Sequence, residues 1–505
     1  MKTNDEPQRA TQPASPPTDV DYWSLDELLA HVGDYGKYQK ILTLVLFVMV
    51  IPMSYPIIIM FFSSLDPAWR CRANSTVCNY TGTFTSTQQC AMNRSDWEFT
   101  KPDSFSFVTQ FHAYCSHKWK VDLTRSVSFF GWGVGAFVMG WLGDKYGRKA
   151  LLLPSMLATL LITSVTPFIS SLPLLVVIRF FACFFIPGST LSAFILITEV
   201  VGERKRVFSG TLIYVTVPLG MCLILPKYYL IEGWRGLCIA CSVPYVVLLA
   251  FYPFLPESLQ WLCEQGRADE VMNTLARIAR WNKTQLPPNV RVKTQFKYKD
   301  ASSSTSFVDI FRTRVLAIGT LINGFLWFVV GVSYWAIVMA ADDLGWPLYV
   351  TFLVMNVTDM ISSFVAIFLV NKIGRKKGSI VPTLLGGLFC VIVGVIPRGG
   401  VLGAVRVSCA LIGKFMLSVS YNSIYVWTIQ LYPTVIRAKG MGWAQINNRL
   451  GCTFAPWVTD WTLPLGAGAP FITLGVPTVV GVIMALKLPS GQLDGSKVDN
   501  NLRSS

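Results

Sequence analysis

Charged residues are scarce in this chain. Only 14% of its 505 residues are Asp, Glu, Lys or Arg, where soluble domains carry about 25%, so an aqueous globular fold is excluded. Histidine is rarer still: His31, His112 and His117 are the full set, and all lie outside the apolar runs. No histidine cluster, no cysteine set beside a base and no carboxylate pair with a base can be assembled, so the chain does not read as an enzyme. A GxxxxGK[ST] loop is missing as well. Gly413-Lys414-Phe415 has neither the earlier glycine nor the hydroxyl, which removes ATP as an energy source. The cysteines show no metal-ligand spacing, and Cys183, Cys222 and Cys409 sit in apolar runs where a thiol behaves as a small hydrophobe. No metal and no cofactor is expected. The first forty residues are polar and Pro-rich with no cleavable signal pattern, which leaves the first apolar run to direct insertion.

What is abundant is hydrocarbon, with 52% of residues hydrophobic. A membrane span needs about 20 apolar residues, and twelve stretches qualify, near 41–62, 126–143, 150–169, 174–198, 207–229, 236–255, 315–340, 348–370, 379–397, 401–429, 438–462 and 468–488. The reading is an all-α membrane protein. Basic residues collect in alternate short loops, at Lys145/Arg148/Lys149, Arg204/Lys205/Arg206, Lys372/Arg375/Lys376/Lys377 and Arg437/Lys439. Such loops face the cytosol, which predicts both termini inside. The formal net charge of +15 is then an orientation signal, not a nucleic-acid footprint.

Two strings organise the rest. WLGDKYGRK at 141–149 sits between two apolar runs, its Gly143 and Gly147 permitting a tight turn while Asp144 and Arg148 supply charge that hydrocarbon rejects. Its echo, VNKIGRKKG at 370–378 with Gly374 and Arg375, lies 227 residues downstream, glycine to glycine. The repetition predicts duplicated halves that pivot about a central site. GDKYGRK resembles the signature loop between the second and third helices of the major facilitator superfamily. DYWSLDELLAHVGDYGKYQK at 21–40, in which Ser24 and Glu27 form a capping box, resembles the lead-in of the organic ion transporters within that superfamily. The resemblance implies twelve helices in two pseudo-symmetric six-helix bundles, at 41–255 and 315–488, after a cytosolic tail and short amphipathic helix at 1–40. A cytosolic linker at 256–314 joins them, and a tail at 489–505 follows. It also implies a plasma-membrane carrier of small organic ions working as a monomer, with the lipid bilayer as its surroundings and no coupling ion assigned.

The long polar loop at 63–123 holds Cys71, Cys78, Cys90 and Cys115 together with N-x-[ST] patterns at Asn74, Asn79 and Asn93. Two disulfides in any of three pairings and a glycosylated ectodomain are expected. Asn282 and Asn356 match the pattern too, but one falls in the cytosolic linker and the other in a span. In that linker, PESLQWL at 256–262 resembles the family's PESPRWL, and Leu259, Leu262, Val271, Leu275 and Ile278 fall at helical spacings that predict helices lying on the membrane or capping both halves. Ala301–Ser306 reads as a flexible linker open to phosphorylation.

Charges inside spans carry the substrate argument, since each costs a few kcal/mol and needs a partner or a function. Arg179 resembles a family arginine in the fourth helix and is expected either to follow that pattern or to snorkel to the headgroups. Glu199, at the inner end of that helix, is expected either to pair with the Arg204 cluster as a gate or to sit in a plain surface cluster. Arg449 lies ten residues past Lys439, about 15 Å along a helix, close to mid-membrane. Asp359 is similarly deep and Lys414 is central in the tenth span. Asp359 and Lys414 fall where the family carries an acid and a base and are paired, which leaves Arg449 free for a carboxylate or sulfonate; the alternative is an Arg449–Asp359 pair. Cation carriers of the family have an acid at the position of Arg449 and a Trp at that of Thr190. Tyr334, Tyr421 and Tyr425 are the aromatic candidates for an ammonium group. Gln430 replaces a family Glu ahead of Leu-Tyr-Pro, so with Arg437 it predicts a less charged inner gate. The expectation is a transporter of organic anions or carnitine-like zwitterions, with a cation carrier using Asp359 as the alternative.

Overall fold

Gly147 and Gly374 each form the whole connection between two membrane helices, at φ +104° and +87° with ψ near 160°. That backbone region is open essentially to glycine alone, which is why the signature string must carry glycine there. The computed structural model describes residues 21–72, 78, 86–231, 233–287, 289–293, 307–341, 344, 346–397, 399–433, 436–466 and 468–493. Asn74, Asn79, the tail at 1–20, the serine string at 301–306 and the chain after 493 lie outside these residues.

The membrane helices are α1 (Lys37–Ser63), α2 (Trp119–Tyr146), α3 (Arg148–Val165), α4 (Leu172–Val200), α5 (Glu203–Leu230), α6 (Trp234–Leu249), α7 (Arg314–Met339), α8 (Leu348–Ile373), α9 (Arg375–Val395), α10 (Gly400–Leu431), α11 (Arg437–Thr462) and α12 (Ala469–Leu486). Among the described residues ten of these helices are long and apolar enough to cross a membrane; α6, at 16 residues, and α11, rich in polar residues, are not among the ten. The helices start and stop within several residues of the sequence-based bounds, with the largest shift at α2, which begins at Trp119 and not at 126. α4 breaks at Phe185 ahead of Pro187, which has no N–H to continue the ladder. Packing repeats between halves: α3 lies on α4 and α6 as α9 lies on α10 and α12, while α2 packs on α11 and α5 on α8 across the boundary. Adding six to each helix number maps one boundary contact onto the other, as an internal two-fold requires.

The loop between α1 and α2 is tied by Cys71–Cys78 and Cys90–Cys115, one of the three open pairings. Its Trp69–Cys71 strand runs antiparallel to Trp97–Phe99, with Trp69 and Trp97 buried against the first bridge. Asn93 is exposed on this loop. At the opposite end, Ser24 and Glu27 complete the capping box of the helix Leu25–Gly33. The strand Asp21–Trp23 pairs with Val290–Val292, stitching the chain's start to the linker.

Two expectations change here. Arg179 does not reach the headgroups: it is 1% exposed and donates to Pro56 O and Ser63 Oγ, both at 3.4 Å, because the neighbouring α1 covers it. The linker helices Leu259–Glu264 and Ala268–Asn282 cap one half only. They bury Leu259, Leu262, Val271, Leu275 and Ile278 against the helix Leu25–Gly33, α1 and α4. Asn282 is a half-buried clamp, its Oδ1 accepting from Tyr38 N at 3.0 Å and its Nδ2 donating to Val32 O at 3.0 Å.

Candidate functional site

Four polar side chains converge in the second bundle. Lys414, from the middle of α10 and 0% exposed, donates to both Asp359 oxygens at 2.9 Å. Asp359, from α8, also accepts from Tyr334 Oη at 2.7 Å and from Ser418 Oγ. The Lys414 ammonium sits 3.4 Å from the Tyr334 ring centroid, so a cation–π contact adds to the ion pair. The Asp359 charge is therefore matched by three donors within its own bundle.

Arg449 stands apart from this network. It projects from α11 toward the first bundle and lays its guanidinium 3.8 Å from the Trp132 ring on α2, with its Cβ against Gly133. Tyr421 brings its hydroxyl beside the same guanidinium, and Arg449 Nε has no hydrogen-bond partner. Among the described residues no carboxylate pairs with Arg449, so the alternative pairing with Asp359 is not formed: Lys414 holds that acid. Tyr421 lies between Trp327 and Tyr334, at 5.5 and 6.0 Å between ring centroids, and Tyr425 flanks Trp327 at 6.4 Å. Across the boundary from Tyr425 is Tyr214 of α5. Thr190 spends its hydroxyl on Ile186 O at 3.1 Å. Trp327 is fully buried and donates to Thr428 at 2.9 Å, which makes it core.

The bundles meet mainly toward the end that carries the disulfide-bonded loop. There Lys118 pairs with Asp460 at 2.6 Å, Ser126 donates to Thr453 O at 2.6 Å, Phe61 and Phe62 clasp Phe352, and Tyr229 meets Tyr349. Phe129 and Trp132 close on Trp335 nearer the middle. Beyond the Tyr214–Tyr425 contact, the named ring, hydrogen-bond and ion-pair contacts among the described residues stay within one bundle. Among the described residues the named contacts across the boundary therefore gather at one end and close it.

At the other end, Glu257 holds the first signature loop. Its Oε1 accepts from Arg148 N and Lys149 N at 2.8 and 2.9 Å, capping the start of α3, while Trp261 Nε1 donates to Asp144 O at 3.0 Å. Arg148 pairs with Asp144 at 2.6 Å and its guanidinium lies against Gly143. Sequence reasoning missed Glu257, although the PESLQWL string contained it. Glu199 accepts from Ser258 Oγ in the same linker and does not pair with Arg204, which is exposed, because Ser258 occupies its carboxylate. A side chain at Gly374 would meet nothing within 4 Å, unlike one at Gly147, which would meet Glu257, and Arg375 is exposed. Gln430 is half-buried and Arg437 donates to Tyr432 O at 3.4 Å. Glu257→Ala is expected to loosen the linker by about 1–2 kcal/mol, the range for losing a cap with its helix-dipole charge. Trypsin cleavage within 256–287 then rises roughly 5- to 30-fold, and unchanged cleavage would count against the clamp.

Comparison with known proteins follows the same lines. The family profile described as "Sugar (and other) transporter" matches residues 74–491. Human "Solute carrier family 22 member 13" is 31% identical over 418 residues, covering 82% of this chain and 74% of the relative. "Organic cation/carnitine transporter 4" of Arabidopsis thaliana is 28% identical over 477 residues, covering 92% and 88%. "Organic anion transporter 3" of Sus scrofa is 28% identical over 500 residues, covering 92% and 90%. Among solved structures, the proton:xylose symporter XylE bound to 6-bromo-6-deoxy-D-glucose superposes with a TM-score of 0.63 at 16% identity, over 92% of this chain and 98% of that one. The relatives are membrane transporters, not enzymes, and together they name cations, anions and carnitine. With the twin bundles, the repeated signature loop and these likenesses in hand, the chain is a member of the major facilitator superfamily, in its sugar (and other) transporter family, and stands among the organic ion transporters related to solute carrier family 22.

Proposed function

We propose that the protein carries small organic anions or carnitine-like zwitterions across the plasma membrane by alternating access. The observation that supports this reading is the Arg449 guanidinium, deep between the bundles, braced by Trp132 and without a protein carboxylate. Arg449 is half-buried, with its Nε fully buried; a partly desolvated cation without a counter-charge is costly, and a substrate carboxylate or sulfonate relieves that cost while its planar acceptors match the fork. In a zwitterion the ammonium group then reaches the rings of Tyr421, Tyr425 and Tyr334. The cation-carrier alternative needs Asp359 free, and that acid is engaged by Lys414, Tyr334 and Ser418. In this reading the disulfide-bonded loop is outside, both termini are cytosolic, and the conformation faces inward. On the second bundle Gln430 and Arg437 line the way out, and Glu199 and the Arg204 cluster stay with the first bundle as it rocks.

The test is uptake of labelled carnitine, a small aromatic carboxylate and tetraethylammonium into cells expressing the full chain. Saturable uptake of the first two, above that of tetraethylammonium, supports the reading, and the reverse order sinks it. Orientation has its own check: Asn93→Gln is expected to remove one glycosidase-sensitive step in apparent mass, and no change in mass places the loop on the wrong side or leaves Asn93 unmodified.

A further inference from the structure

The end of the molecule that is shut holds a charge set that the substrate argument does not use. Between α2 and α11 lies a cavity of about 80 Å³ lined by Lys118, Asp122, Arg125, Met339, Pro456, Thr459, Asp460 and Leu463. Asp122 is 2% exposed, and its Oδ2 has no hydrogen-bond partner. The Asp122 and Asp460 carboxylates, from opposite bundles, both line this cavity. Two carboxylates sharing one buried site repel unless a proton or cation lies between them.

The neighbouring charges do not supply the missing one. Lys118 gives its ammonium to Asp460 at 2.6 Å. Arg125 turns to Ser64, donating to its Oγ at 2.6 and 3.0 Å, and approaches Asp122 Oδ1 only to 3.8 Å. Asp66, beyond the end of α1, is exposed and is not among the residues that line the cavity. With Lys118 on Asp460 and Arg125 turned to Ser64, the buried Asp122 Oδ2 is left without a donor beside a second carboxylate.

We propose that Asp122 and Asp460 share a proton taken up from the side of the disulfide-bonded loop, and that this proton latches the closed state of that end. The proton forms an O–H on one carboxylate and is donated to the other, so no co-reactant beyond water is needed. Opening carries α11 away from α2, parts the two acids, solvates them and releases the proton. The sign follows: protonation removes a repulsion that exists only when closed, so acid on that side favours closure. This inference uses the rocking motion of the proposed function but not its substrate, and the test below contains no substrate, so either can fail without the other.

The experiment uses the full chain in liposomes with spin-labelled unnatural residues at Trp119 and Leu402, near the loop ends of α2 and α10, and reads the distance distribution from pH 5 to pH 9. The wild type is expected to pass from a short to a long distance as pH rises, its ratio changing up to about tenfold per pH unit while the pair titrates. Asp122→Asn keeps the shape and removes the repulsion, so it stays short at every pH. Asp460→Asn is also expected to lose the pH response, and it serves as the second variant because it tests the partner acid. A wild-type distribution unmoved by pH overturns the latch, as does a full pH response in Asp122→Asn. A shift produced by sodium at fixed pH, in place of the pH response, overturns the assignment to a proton.

Discussion

Arg449→Ala is expected to lower carnitine uptake on the order of a hundredfold, mostly through KM, and to leave tetraethylammonium uptake within about twofold of wild type. The magnitude comes from removing one partner of a desolvated, hydrogen-bonded charge pair, which costs about 2–5 kcal/mol; a hundredfold is about 2.7 kcal/mol. The side chain is held for that purpose. Trp132 supports the guanidinium face at 3.8 Å, which leaves Nε, without a partner in the protein, for an incoming acceptor. Arg449→Lys separates charge from geometry. A lysine keeps the positive charge but loses the planar fork and the flat stack, so an intermediate loss is expected. Trp132→Ala is expected to cost less, about 0.5–2 kcal/mol, since it removes only the cation–π support. Uptake of carnitine and the aromatic carboxylate unchanged in Arg449→Ala would remove the basis for the substrate class.

How much of this was legible in the chain depended on whether a feature was local. The Gly147 and Gly374 turns were readable because a positive φ demands glycine at one residue, and the string repeats. That Asp359 and Lys414 make a pair was readable from the family pattern, and the structure shows the pair. Contacts that join distant segments were not. Glu257 caps α3 from 109 residues away, and no local pattern announces a carboxylate that serves another helix's N–H groups. Arg179 misled for a related reason: counting from the helix end gives its height in the membrane but not its rotation, and rotation puts it under α1. The Lys118–Asp460 bridge joins residues on opposite bundles, so neither residue alone marks a gate. The linker showed its apolar stripe plainly, yet a stripe does not name the surface that covers it, and only the first bundle does so.

The Asp359–Lys414 pair carries the largest expected effect on stability. Lys414→Met should lower the stability of the detergent-solubilised protein by about 3–5 kcal/mol, the cost of leaving a buried charge without its partner. Asp359→Asn leaves the ammonium at 0% exposure with only Ser418 Oγ at 3.3 Å and the Tyr334 face, so it should cost about the same. The double variant Asp359→Asn/Lys414→Met is the informative one. It removes both charges at similar volume, so most of the loss should return and the double variant should be more stable than either single one. Thermal unfolding followed by fluorescence, beside carnitine uptake, then separates two roles. A double variant that regains both stability and uptake makes the pair a brace that keeps Tyr334 and the neck of α10 in place for Arg449. One that regains stability but not uptake makes the ion pair part of the moving mechanism, because the charges must then do something in a conformation other than this one. Single variants that unfold within about 1 kcal/mol of wild type would show that water reaches Lys414 and screens it, and the isolation of Arg449 from Asp359 would have to be argued afresh.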